Sequence, residues 1–163
     1  MKKLIATLAL AAGVGWTGLA AAATATGTLT VQATVADACS LADGALAFGN
    51  VDPNAGVTSA VRATIAVTCT LGASFTVGLG DGQNLAAGSR RMRRGATADY
   101  LKYELYRELL LTSRFGDSGA SDRVAGTGAG NSSTSIVVYG TMPSGQSVAG
   151  GSYADSVQIT VYY

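Results

Sequence analysis

The chain has 163 residues, with 22 Gly, 2 Pro, 2 Cys, no His, and 11 basic against 10 acidic residues. So balanced a charge leaves no electrostatic footprint for nucleic acid or an anionic membrane. Without histidine, Ser-His-Asp and Cys-His catalytic arrangements are impossible, and ordinary His-bearing zinc sites go with them.

In chain order, Lys2 and Lys3 supply a positive n-region and Leu4 to Val14 an apolar h-region. Small residues follow, with Ala21 and Ala23 at the −3 and −1 positions. Residues 1–23 are therefore expected to be a secretory signal peptide. A transmembrane anchor is the other option, but the segment is short and diluted by Gly13, Gly15, Trp16, Thr17 and Gly18. The mature chain then begins at Thr24 and has 140 residues, enough for one domain with a real core. Loss of Lys2 and Lys3 lowers the basic count from 11 to 9 against 10 acidic residues. No second long apolar stretch follows, so no integral span is expected after cleavage.

Gly27 to Val35 alternates with period two, placing Leu29, Val31, Ala33 and Val35 on one face. Val61 to Thr70 alternates likewise, with Val61, Ala63, Ile65, Val67 and Cys69 in phase. Cys39 keeps the parity of the Leu29–Val35 set, so both thiols are expected to point into a core. An even cysteine pair in an exported chain reads as one disulfide, Cys39–Cys69, with two free buried thiols as the alternative. The bridge would close a 31-residue loop.

Ser74–Leu79, Ser135–Thr141 and Tyr153–Tyr163 are further strand-like runs, the last with Val157, Ile159, Val161 and Tyr163 on one face. Breaker clusters separate the runs: 52–56, 80–84, 126–131 and 143–146. The Gly/Ser/Ala-rich stretch 116–135 is expected to be a mobile loop. Asp99 to Arg114 carries both periods. Its strong helix formers and Leu101, Leu105, Leu109 spacing favour a helix, and its tyrosines and alternation favour a strand.

Short strands, Gly-rich turns and one disulfide describe an all-β domain, an immunoglobulin-like sandwich or a small barrel. No catalytic constellation stands out, because the carboxylates sit mostly beside Gly or Ser in turns. Asp117 and Asp122 read as solvated surface rather than a glycosidase pair. The 80–84 segment reads as a plain turn rather than a calcium loop. Arg90, Arg91, Arg93 and Arg94 offer a nucleic-acid or polyanion patch, but export argues against nucleic acid, and they read rather as a solvated loop or charged strand edge, with salt bridges between subunits as a further option. No enzyme activity, metal or cofactor is expected.

Taken together, the mature chain resembles the spore coat protein U domain family, which includes the Csu-type pilins of archaic chaperone–usher fibres. The resemblance rests on the arm Gly27 to Cys39, on Ala66-Val67-Thr68-Cys69 and on Arg90-Arg91-Met92. It also rests on Leu101-x-Tyr103-x-Leu105-Tyr106-Arg107-Glu108, and on Tyr139-Gly140-x-x-Pro143-x-Gly145-Gln146 with Gly150, Gly151, Ser152, Tyr153 and Asp155. Glu108 departs from the family's usual Asp. The family segment is a strand, so the resemblance makes Tyr100–Tyr106 β.

It implies an incomplete immunoglobulin-like sandwich (residues 36–163) that lacks its last strand and is completed by a donor strand in trans. The donor would be the 24–35 arm of another subunit, through Leu29, Val31, Ala33 and Val35. The receiving edge, which also binds a chaperone, would include Val157, Ile159, Val161, Tyr162 and Tyr163. Other pilins carry a penultimate Tyr and a Gly fourteenth from the end, positions held here by Tyr162 and Gly150. The implied partners are a periplasmic chaperone, an outer-membrane usher, and copies of this chain or related pilins, without nucleic acid. The implied location is the periplasm in transit, then a surface fibre or a spore or cyst coat. The competing readings are an exported binding module, an outer-membrane barrel, and a complete sandwich whose first strand is the arm.

Overall fold

The computed structural model describes residues 22–56 and 60–163, so all but the last two positions of the expected signal peptide lie outside the described residues. The chain divides into two units, 1–34 and 35–163. In the first, residues 22–34 form no strand and are exposed throughout. Alternation fixes which side chains share a face. It does not supply the partner a strand needs.

In the second unit the chain order is β1 (Cys39–Leu41), β2 (Val61–Cys69), β3 (Ser74–Leu79), β4 (Arg90–Arg93) and β5 (Tyr100–Tyr106). A 3-10 turn (Ala120–Asp122) follows, then β6 (Val124–Thr127), β7 (Thr134–Thr141) and β8 (Ile159–Tyr162). Every pairing between strands is antiparallel. One sheet has the order β1-β2-β7-β5-β4, the other β6-β3-β8. The architecture is an all-β, immunoglobulin-like sandwich.

The period-two pattern builds the core between the two sheets. Ile65, Val67 and Cys69 of β2, Ile136 and Val138 of β7, and Leu101, Tyr103 and Leu105 of β5 are buried against Phe75, Val77 and Leu79 of β3. The ambiguous segment is thus a strand over Tyr100–Tyr106, and its i, i+2, i+4 residues face inward. Past Tyr106 the chain turns. The Glu108 carboxylate accepts from the amides of Thr112 (3.1 Å) and Ser113 (2.6 Å), and Phe115 N–H returns to Leu105 O (2.8 Å). Leu109 and Leu110 are left exposed, so the helical leucine spacing there has no packing partner to reward it.

Cys39 and Cys69 stand opposite each other in the β1–β2 register and are bonded (S–S 2.03 Å), with Cys69 buried in the core. Beside them Ala38 and Thr70 exchange bonds, Thr70 N–H to Ala38 O (2.9 Å) and Ala38 N–H to Thr70 Oγ1 (3.1 Å).

Two expectations are corrected. The 116–135 stretch is not an unstructured loop: it holds the 3-10 turn and β6, which pairs with β3 from Val124↔Val77 to Thr127↔Ser74. Gly and Ser lower strand propensity, but pairing with a buried strand overrides it. Nor is the arginine cluster only a solvated edge. Arg90 is wholly buried. It donates to the carbonyls of Leu79 (2.9 Å), Gly80 (2.7 and 2.9 Å) and Phe115 (2.8 Å), and pairs with Glu104. A planar fork of five donors suits this, because carbonyls left bare by the end of β3 and by Phe115 converge on one point. Arg91, Arg93 and Arg94 stay nearer the surface. Arg91 stacks on Tyr100 at 4.1 Å, Arg93 donates to Thr97 O (2.6 Å), and Arg94 pairs with Asp99.

Candidate functional site

The C-terminal run is a strand only over Ile159–Tyr162. Before that it crosses between sheets. Ala154 exchanges both backbone bonds with Arg93 of β4 (2.8 and 3.0 Å), after which the chain reaches Gly80 N–H with Gln158 O (2.8 Å) and joins β3. Asp155 buckles this crossing down. It accepts from Gln83 N–H (2.9 Å), Asn84 Nδ2 (3.3 Å) and the Tyr103 hydroxyl (2.7 Å). Residues 80–84 are therefore a turn closed by a distant carboxylate. Among the described residues no cluster of acidic or cysteine side chains is arranged to hold a metal ion. Burial, and then the bond to Asp155, push the Tyr103 phenol above the ordinary tyrosine range.

On the opposite flank, residues 42–51 leave the β1 edge and turn inward. Leu46 and Phe48 lie over Gly140 of β7, where a Cβ would stand 2.9 Å from Leu46 Cδ2 and 3.0 Å from Phe48 Cζ. Glycine at this position is what lets both side chains reach the core. Phe48 meets the Tyr103 ring edge-on at 6.1 Å. The 143–146 turn is joined to the same region: Gln146 gives its side-chain amide to Lys102 O (3.0 Å) and accepts from Lys102 N–H (2.7 Å). A side chain thereby extends the ladder of β5 beyond the end of β7.

Between the 41–51 and 151–159 segments runs a groove of about 880 Å³. Its floor is the core itself: Ile65, Leu79, Leu101, Tyr103, Leu105 and Val138. Val157 and Ile159 line it, and Val161 packs on the core next to them. β8 is the outermost strand of its sheet. Gly80 and Gln158 form a hydrogen-bonded pair, and such pairs alternate along an antiparallel ladder. Thr160 and Tyr162 therefore turn their amides to β3, while Ile159 and Val161 turn theirs to the open edge.

The residues expected to receive a strand do not all sit alike. Val157, Ile159 and Val161 face the groove and core. Tyr162 projects to the other face, and Tyr163 is exposed beyond the strand. Leu29, Val31 and Val35 are 86%, 82% and 81% exposed, and Ala33 is exposed as well. Two contributors escaped the sequence reading, the inward-turning Leu46–Phe48 and the Asp155 buckle. The alternating Leu46-Ala47-Phe48 was a weak signal for the first, and the place of Asp155 in the family resemblance for the second.

A solved chain from the chaperone–tip adhesion subunit pre-assembly complex of the archaic chaperone–usher Csu pili of Acinetobacter baumannii shares the fold. The TM-score is 0.53 at 19% identity, over 80% of this chain and 41% of that one. The present chain thus spans about two fifths of that structure's chain. Over 179 aligned positions it is 37% identical to "Protein U" of Myxococcus xanthus, across 100% of this chain and 98% of that protein. The spore coat protein U domain matches residues 25–160, and the chain belongs to that family.

Proposed function

We propose that this chain is a structural subunit of a surface fibre or coat that polymerises by donor-strand complementation. Residues 1–23 direct export, 24–35 form the donor arm, and 36–163 form the receiving sandwich. The observation that carries the reading is the groove of about 880 Å³ floored by core side chains beside the open edge of β8. The cleft runs over Leu101, Tyr103 and Val138 between its two walls, giving room for further side chains, and an open edge invites a strand. The arm carries the complementary pattern. Leu29, Val31, Ala33 and Val35 fill the groove while the main chain bonds to Ile159 and Val161, which is β-strand addition. Burying Leu29, Val31 and Val35 contributes roughly 1.5–3 kcal/mol each before ordering costs.

Arm and groove are different surfaces, so the contact is heterologous and builds a linear polymer. The open edge calls for protection during export, which a periplasmic chaperone supplies before an outer-membrane usher exchanges it for the next arm. The Csu complex, in which a chaperone is bound to a pilus subunit of like fold, supports the chaperone in this line of partners.

The test is thermal unfolding of the chain from Thr24 and of a variant lacking residues 24–35, each with and without arm peptide. The truncated domain is expected to aggregate or melt early and to be rescued by peptide, by about 2.7 kcal/mol at a hundred times Kd. Cooperative melting of the truncated domain at the full chain's temperature, indifferent to peptide, would mean a complete sandwich. The exported binding module would then be the better reading.

A further inference from the structure

β8 has four residues and is paired on one side only. Ile159 and Val161 on its inward face already favour one register, because a slip of one residue would turn them out of the groove and move every open amide. A strand of four residues with one neighbour still frays readily, and a contact on its outer face holds it before a partner arrives. The outer face of its sheet carries a built cluster that serves neither the core nor the groove. The Arg123 guanidinium lies 3.6 Å over the Tyr162 ring. Arg123 Nε donates to Asp117 Oδ1 at 2.6 Å, and the Tyr162 hydroxyl donates to Asp117 Oδ2 at 3.0 Å. Asp117 in turn lies flat on Gly78 of β3, where a Cβ would overlap its carboxylate. Gly78 is the register partner of Thr160. The three side chains thus join the end of β8 to the middle of β3 and, through Arg123, to the residue preceding β6.

We infer that Asp117, Arg123 and Tyr162 form a latch that fixes the register of β8 and so keeps its free edge ready for an incoming strand. The inference rests on the strand-uptake reading for its purpose, though not for its geometry. Tyr162 is a positioning residue: it faces away from the groove and acts through Ile159 and Val161. The cluster and the inward face of β8 together select the observed register, in which the Tyr162 hydroxyl meets a carboxylate lodged over Gly78. A one-residue slip would bring Val161 or Tyr163 to that position on the outer face: Val161 has no hydroxyl to offer, and placing Tyr163 there would turn Ile159 and Val161 out of the groove.

The experiment uses the secreted full chain with Tyr162→Phe and Asp117→Asn. Tyr100→Phe serves as the control, since its ring is likewise stacked by an arginine but on β5. Two readouts are taken. One is amide hydrogen exchange at Thr160 and Tyr162 without added peptide. The other is the rate at which a peptide of residues 24–35 is captured. Loss of one hydrogen bond to a charged acceptor is worth roughly tenfold. Both latch variants are expected to exchange about tenfold faster at those two amides and to capture peptide correspondingly more slowly, with Tyr100→Phe unchanged in both. Unchanged exchange in both latch variants overturns the latch. Faster exchange with an unaltered capture rate overturns its positioning role. If neither wild type nor variants capture peptide, strand uptake itself fails, and the exchange data still report on the latch alone.

Discussion

Replacing Arg90 by Met removes five donors from the interior while keeping the length of the side chain. In the wild type the guanidinium satisfies the carbonyls of Leu79, Gly80 and Phe115 and neutralises Glu104, all from a position with no solvent exposure. Methionine leaves three carbonyls without this donor and removes a neighbouring cation from Glu104, which keeps Arg114 Nε at 3.1 Å. Each orphaned buried acceptor costs about 1–3 kcal/mol, and removing one partner of a buried ion pair costs about 3–5 kcal/mol. The buried Met side chain recovers part of this by hydrophobic transfer. Taking the lower end of each cost, since Glu104 keeps Arg114, and about 2 kcal/mol recovered by Met, the net expectation is a loss of about 4 kcal/mol, a large share of the roughly 5–15 kcal/mol that holds a domain together.

Urea unfolding of the full chain, followed by tryptophan-independent far-ultraviolet circular dichroism, measures it. Arg90→Lys is expected to lose about as much, since one ammonium cannot fork to three carbonyls. Adding Glu104→Leu to Arg90→Met is expected to cost less than the sum of the two single changes, because both single changes break the same Arg90–Glu104 pair. A stability of Arg90→Met within about 1 kcal/mol of wild type would refute the argument that this arginine satisfies otherwise orphaned buried carbonyls.

Further predictions concern the disulfide and the buried phenol. Cys39 and Cys69 are 30 positions apart, and opening the loop they close is expected to cost about 3–4 kcal/mol. A Cys39→Ser/Cys69→Ser chain should melt roughly 10–15 °C lower, and an unchanged Tm would contradict this. Tyr103, held neutral by burial and by its bond to Asp155, should remain protonated at pH values where free tyrosine ionises. A phenol pKa raised by folding contributes stability in full below the unfolded value of about 10, and that contribution declines as pH rises above it. Absorbance titration near pH 11 should find Tyr103 un-ionised until the fold is lost. Complete titration of an intact fold would show the phenol to be in contact with water. The arm-rescue and latch experiments complete the set.

What local chemistry dictates was readable in order along the chain. The alternation of Val61–Thr70, Ser74–Leu79 and Ser135–Thr141 recurs as β2, β3 and β7 with ends within a residue, because a half-buried strand must alternate. The parity of Cys39 and Cys69 agreed with their pairing across β1 and β2. Tyr100–Tyr106 was undecided between two periods on its own residues, and kinship resolved it. Three things needed the tertiary structure. Pairing with β3 turned the Gly-rich 124–127 segment into a strand, since a ladder rewards even poor strand formers. Convergence of carbonyls from distant segments gave Arg90 a buried role that a run of surface-like arginines concealed. The groove exists because Leu46, Phe48 and Asp155 are brought to its two walls from positions about a hundred residues apart. Periodicity reports which face a side chain takes. It carries no account of which distant segments are folded against which face, and that folding is what sets the groove.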